Sequence, residues 1–218
     1  VESIKGFTMT EATFMKRYIF TNPELANQMT AKGKNVIFAT GHYNNWEWGV
    51  ISIPLWFNDP SLGFYKPLSN RYMEAYAKKV RSKFGFIPVP IGETSQTIEQ
   101  YKGKSSNLLF ISDQNTWSKN ALWVQFLGQD TICAQGIEKY TTMLEAPVFY
   151  LQFKRVARGY YVNTLIPLTD GTEKLPYGVI TKRFMHQLEA DIKASPENWL
   201  WSHKRWKRKR EPHETLIG

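Results

Sequence analysis

The chain has 218 residues, enough for one domain with a sizeable core. With 28 Lys and Arg against 19 Asp and Glu it carries a formal net charge of +9, which points to anionic partners: phosphate-bearing lipid, an anionic membrane surface, an acidic carrier protein or nucleic acid. Cys133 is the only cysteine, which excludes an internal disulfide and suits a reducing compartment, and no apolar run approaches the roughly 20 residues of a transmembrane helix.

In chain order, Thr10 and Glu11 followed by Phe14, Met15, Tyr18 and Ile19 have helical spacing. Asn22 reads as a cap and Pro23 as the first position of a second helix, closed by Gly33. The run Val36-Ile37-Phe38-Ala39-Thr40 is too short for a helix and rich in β-branched and aromatic residues, as a buried strand is. Gly41 breaks it, and the apolar segment from Trp46 reads as helix, its longest apolar stretch interrupted by Pro54.

A strand is expected at 62–65, then a helix over 71–84 capped by Asn70, with Met73, Tyr76, Ala77, Val80 and Phe84 on one face. Residues 86–90 and 107–111 read as strands, with a short helix at 94–101 between them. Gly136 opens a helix reaching Leu144, whose free N–H groups suit an anion or a developing oxyanion. Residues 147–153 and 160–166 form two strands about an Arg158-Gly159 turn, and 179–193 an amphipathic helix. Cys133, between Ile132 and Ala134, reads as half-buried structure with a nucleophile as the alternative. Alternating strands and helices imply an α/β fold with a mixed, largely parallel central sheet flanked by helices, in which chemistry gathers beyond the carboxyl ends of the strands.

Two such ends carry reactive groups, His42 and Asp113. Glu47 follows His42 by five positions. Within one regular helix that spacing would turn the two side chains about 140° apart. With His42 in the turn and Glu47 in the first helical turn, the carboxylate can fold back onto the imidazole, fix its tautomer and leave the other nitrogen as a base. The alternative is a capping box from Asn44 to Glu47. Asp113-Gln114-Asn115 is either good turn chemistry or a contact to an acceptor. The four histidines lack metal-ligand spacing. At the far end, Ser195-Pro196-Glu197 reads as a helix start that puts Trp199, His203 and Trp206 on one face before Lys207-Arg208-Lys209-Arg210, a basic aromatic tail suited to a membrane interface.

The stretch Gly41-His42-Tyr43-Asn44-Asn45-Trp46-Glu47 resembles the signature of the bacterial lipid A biosynthesis acyltransferases, the lauroyl/myristoyl transferase family, in which a histidine is followed by four residues and an acid. Tyr65-Lys66-Pro67 with Asn70, Arg81 through Gly85, Asp113-Gln114-Asn115, Gly136, Ala146-Pro147-Val148 and His203-Lys204-Arg205 fall in that family's order, so the likeness covers nearly the whole chain. It implies a glycerolipid-acyltransferase-like fold in a single domain, the tail at 195–218 included, with an N-terminal membrane anchor expected ahead of Val1. It further implies transfer of a fatty acyl chain from an acyl-carrier-protein thioester, without other cofactor, to a hydroxyl of a lipid A precursor at the cytoplasmic face of the inner membrane. The partners are then acyl carrier protein, an anionic lipid acceptor and the membrane surface, and no nucleic acid. His42 would be the catalytic base and Glu47 its partner, and Lys66, Asn70, Arg81, Asp113, Gln114, Gly136, His203 and Arg205 would contact substrate. Family members usually have arginine where Lys66 stands, so bidentate contact to an oxyanion is weaker there. A lysophospholipid, aminolipid or glycolipid acceptor, or a non-catalytic basic binding module, are the competing readings.

Overall fold

The computed structural model describes residues 2–118 and 120–217. In chain order the elements are α1 (Glu2–Gly6), α2 (Glu11–Arg17), β1 (Tyr18–Phe20), α3 (Glu24–Thr30), β2 (Asn35–Thr40), α4 (Trp46–Ser52), β3 (Ser61–Tyr65), α5 (Arg71–Arg81), β4 (Ile87–Pro90), α6 (Thr94–Tyr101) and β5 (Ser106–Ile111). There follow β6 (Leu122–Phe126), β7 (Gln129–Cys133), α7 (Gly136–Leu144), β8 (Val148–Ala157), β9 (Tyr160–Thr169), α8 (Val179–Ala194) and β10 (Leu216–Ile217).

Seven strands form one sheet in the order β1-β9-β8-β2-β5-β3-β4. Only the β8–β9 hairpin is antiparallel, so the fold is α/β with a largely parallel sheet, as expected. β2 is central and all six of its residues are buried, because both faces of the sheet are covered. Successive side chains of a strand point to opposite faces. Ile37, Ala39, Leu108 and Phe110 accordingly pack with Phe184 and Leu188 of α8 and with Ile137 of α7, whereas Val36, Phe38 and Leu109 pack with Phe14 of α2 and with Trp48 and Ile51 of α4. Burying each large apolar side chain contributes roughly 1.5–3 kcal/mol. Among the described residues no helix is long and apolar enough to cross a membrane.

Several local expectations need correction. The helix expected from Thr10 to Ile19 stops at Arg17, and Tyr18 to Phe20 instead pair in parallel with β9. Asn22 caps nothing: its side chain exchanges two hydrogen bonds with the backbone of Leu165, tying the start of α3 to the sheet. Cys133 is fully buried at the end of β7, a strand not anticipated, and burial pushes its thiol up to about 11, which removes it as a nucleophile.

The tail differs most. After a short 3-10 turn at Pro196–Asn198 it turns again at 200–203 and continues without helix, so Trp199, His203 and Trp206 share no helical face. Trp199 instead makes a β-bridge to Tyr43. Arg205 is 2% exposed and donates to the Ile132 carbonyl, the Trp206 indole donates to Thr131, and Arg210 pairs with Asp130. The segment is thus a strap over the β6–β7 hairpin, and β10 closes it as a parallel partner of β6.

Candidate active site

β2 and β5 are parallel neighbours with Thr40 opposite Ile111. Two residues beyond each stand His42 and Asp113, so the register of the sheet delivers them side by side. His42 Nδ1 lies 2.6 Å from Asp113 Oδ1, and the His42 backbone N–H donates to Asp113 Oδ2 at 2.9 Å. The Trp199 indole adds a third hydrogen bond to Oδ2 at 2.9 Å. Gly41 permits this approach: a Cβ there would sit 2.9 Å from the Leu188 methyls and 3.2 Å from Asp113 Oδ2.

The carboxylate is 2% exposed. Burial alone would raise its pKa. The hydrogen bond and charge of His42, then the Trp199 indole and the His42 backbone N–H, outweigh burial and hold the carboxyl below the usual aspartate range. An ionised Asp113 on Nδ1 keeps the proton there and leaves Nε2 as the free nitrogen, the arrangement a general base needs. Gln114 Nε2 lies 3.4 Å from that nitrogen. Trp46 packs edge-on against the ring, with centroids 4.7 Å apart.

The tail strap locks this loop from behind. Asn44 N–H donates to the Asn198 carbonyl at 2.8 Å and Leu200 N–H to the His42 carbonyl at 3.2 Å. Trp199 therefore serves the site through Asp113. Its indole N–H could have been matched to a buried carboxylate from sequence only by knowing that the strap returns to the ends of β2 and β5.

Glu47 does not take the place expected of it. The N-cap of α4 is Asn45, whose side chain accepts from Trp48 N–H, which rules out the Asn44 capping box as well. Glu47 then points towards α5 and forms an ion pair with Arg81, Nη2 to Oε1 at 2.9 Å, with a second contact of 3.4 Å from Nε. The imidazole partner is Asp113, which the sheet register sets beside His42.

His42 opens onto a cavity of about 650 Å³, a size typical of small-molecule sites. Its wall is largely apolar, with Val50, Phe64, Phe86, Leu109 and Phe110 among the lining residues. Of the residues proposed from sequence, Lys66, Arg81, Gln114 and Gly136 also line it. Lys139 joins Lys66 and Arg81, giving three cations, and among the described lining residues there is no carboxylate. Lys139 was not singled out from sequence, although it lies one turn after Gly136, on the same helix. Gly136 stands at the amino end of α7, where unpaired backbone N–H groups meet the cavity.

Three proposed contacts are used otherwise. Asn70 caps α5, its Oδ1 accepting from Tyr72 and Met73 N–H at 3.0 and 3.1 Å, so the cap is borne out and the residue does not line the cavity. His203 Nε2 accepts from Asn115 N–H at 3.1 Å, and burial, followed by the charges of Lys207 and Arg205, lowers its pKa. Arg205 is buried between the strap and the β6–β7 hairpin and cannot meet a substrate there.

A family model described as bacterial lipid A biosynthesis acyltransferase matches residues 1–208. The chain belongs to this family. It is accordingly an acyltransferase of lipid A biosynthesis, and the resemblance drawn from the histidine motif holds over almost the full sequence. No curated protein matches the chain. In this lipid A acyltransferase the buried pair His42–Asp113 faces a cavity whose wall combines apolar side chains with three cations.

Proposed function

We propose that the protein transfers a fatty acyl chain from an acyl-carrier-protein thioester directly to a hydroxyl of a lipid A precursor, at the cytoplasmic face of the inner membrane. The observation that carries this reading is the 2.6 Å contact between Asp113 and His42 Nδ1 at the mouth of a largely apolar cavity. His42 Nε2 takes the proton of the acceptor hydroxyl as its oxygen attacks the thioester carbonyl. Collapse of the tetrahedral adduct breaks the C–S bond, and the imidazolium returns the proton to the departing thiolate. Asp113 holds the ring and balances its transient charge.

The apolar wall suits the acyl chain, and Lys66, Arg81 and Lys139 suit the acceptor's phosphates. Glu47 acts here as the clamp that holds the Arg81 guanidinium in the wall, rather than as the partner of His42. A role for Gln114 and the amino end of α7 in meeting the developing oxyanion is supported by the 3.4 Å contact of Gln114 Nε2 with His42 Nε2 and by both lying in the cavity wall. General-base catalysis of this kind supplies about 10²- to 10⁴-fold. The test is purified protein with a panel of acyl-carrier-protein donors and of lipid A precursor, lysophospholipid and glycolipid acceptors, beside His42→Ala. Transfer to the lipid A precursor, lost in His42→Ala, is expected. Undiminished transfer by the variant, or transfer only to another acceptor, would overturn the reading.

A further inference from the structure

The strap grips the loop after β5 at two points. The Trp199 indole donates to the Asp113 side chain, and four residues further on His203 Nε2 accepts from Asn115 N–H at 3.1 Å. Gln114 lies between these two anchors. Its Nε2 stands 3.4 Å from His42 Nε2, the ring nitrogen left free by Asp113. The loop thus carries a group to the reacting end of the imidazole, and the strap fixes the loop on either side of that group.

The second anchor holds backbone that little else holds. Ser112 N–H donates to the Thr40 carbonyl, continuing the pairing of β5 with β2. Beyond it, among the described residues, Asn115 N–H is the only backbone group of residues 113–115 with a hydrogen-bonding partner. The buried side-chain oxygen of Asn115 has none. A loop tied by one contact moves when that contact goes, and a misplacement of about 1 Å near the reacting atoms can cost 10²-fold in rate.

His203 accepts at Nε2 only while that nitrogen carries no proton. A protonated ring would set N–H against N–H and break the bond. The groups that bear on the ring are Lys207 and Arg205 from the strap, and Asp113 and His42 from the ends of β5 and β2. Burial lowers the pKa of His203 most, the two strap cations and His42 lower it further, and Asp113 alone opposes them. The ring is therefore neutral at neutral pH and the bond is made.

We propose that His203 is a positioning residue for acyl transfer: its neutral Nε2 holds the Asn115 backbone and so sets Gln114 against His42, and a proton on His203 releases the loop. Its effect on turnover rests on the acyl-transfer reading, whereas the hydrogen bond itself is measured without donor or acceptor. As pH falls, the rate drops once because His42 loses its basic nitrogen and again because the loop is released. The acid limb of the unaltered chain then steepens from about one towards two decades per pH unit.

The experiment compares kcat and KM across the acid limb for the unaltered chain, His203→Gln and His203→Ala. Glutamine places its Oε1 close to where Nε2 stands and accepts at every pH. His203→Ala should lower kcat about 10- to 100-fold with little change in KM for the donor. His203→Gln should recover most of that loss, with an acid limb of about one decade per pH unit throughout. In amide NMR of the chain alone, the Asn115 N–H resonance should follow the His203 imidazole titration and lose that step in His203→Gln. Full kcat in His203→Ala, a His203→Gln variant as slow as His203→Ala, or an acid limb unchanged by His203→Gln would each overturn the proposal. Thermal unfolding verifies that the variants fold; should His203→Ala not fold, the acid limb of His203→Gln and the Asn115 resonance decide the matter. If the resonance follows His203 while the unaltered chain acylates no acceptor, the transfer reading fails and the anchor stands. If transfer proceeds undiminished in His203→Ala, the positioning role fails and the transfer reading stands.

Discussion

Replacing Asp113 by asparagine keeps the shape of the side chain and removes its charge. The native carboxylate, 2% exposed, accepts three hydrogen bonds: from His42 Nδ1 at 2.6 Å, and from His42 N–H and the Trp199 indole at 2.9 Å each. An amide offers one acceptor oxygen, so at most one of the two acceptor positions survives, and the imidazolium of the transition state loses its counter-charge. Hydrogen bonds to a charged group contribute about 1.5–3 kcal/mol each, so losing one or two raises the barrier by roughly 2–6 kcal/mol. That corresponds to a fall in kcat of about 30-fold to 2 × 10⁴-fold. The assay is the initial rate of acyl-carrier-protein release as a function of pH for the unaltered protein, Asp113→Asn and Glu47→Gln, each verified as folded. Asp113→Asn should lose kcat with little change in KM. Glu47→Gln, which loosens Arg81, should chiefly raise KM for a phosphorylated acceptor. A collapse of kcat in Glu47→Gln alongside a near-native Asp113→Asn would refute the assignment of Asp113 as the orienting acid.

Trp199→Phe removes one indole hydrogen bond from Asp113 while keeping the ring, and should lower kcat about 10- to 100-fold, whereas the exposed Trp201→Phe should not. Because the folded pKa of Asp113 is depressed, its contribution to stability is complete above the unfolded value of about 3.9 and is lost as pH falls through the folded value; acid unfolding of Asp113→Asn should therefore be less steep than that of the unaltered chain. Gly63→Val should shift donor preference towards shorter acyl chains, since even a Cβ at Gly63 would lie 2.5 Å from the Phe86 ring in the cavity wall, and a methylene's worth of fit changes kcat/KM by about 10- to 200-fold. Glu138 is buried with its carboxylate on Ile180 and Thr181 N–H, at the start of α8; Glu138→Ala orphans both donors and should cost about 1–3 kcal/mol in chemical denaturation.

The parallel sheet was legible because its strands are short apolar runs punctuated by glycine and proline, a signal that needs no partner to be read. Helices α5, α6, α7 and α8 were legible for the same local reason, their periodicity. The partner of His42 was not. Its identity depends on the register of β2 with β5, which pairs Thr40 with Ile111, and register is fixed by the whole sheet rather than by either strand. Both residues were placed at strand ends from sequence, yet nothing local said that the ends were adjacent. The tail failed for a different reason. Tryptophan interleaved with arginine has the composition of an interfacial segment, but the same side chains satisfy buried groups here: Trp199 meets Asp113, and Arg205 meets Ile132.

The motif of a histidine followed by four residues and an acid thus joins two charge pairs on neighbouring walls of one cavity. Their burial separates their roles. Glu47 and Arg81 keep 26% and 20% of their side-chain surface, so water screens that pair and its part is to hold the guanidinium in place. Asp113 lies in a medium of low dielectric, where one charge acts strongly on the imidazole. The two pairs share no hydrogen-bonding partner, so the effects of Asp113→Asn and Glu47→Gln on kcat/KM should add to within about 0.5 kcal/mol, whereas Glu47→Gln and Arg81→Lys should fall short of additivity because each breaks the same contact. A strong coupling between Asp113 and Glu47 in that cycle would mean that the acid of the motif reaches the imidazole during turnover, and that the two walls act as one unit.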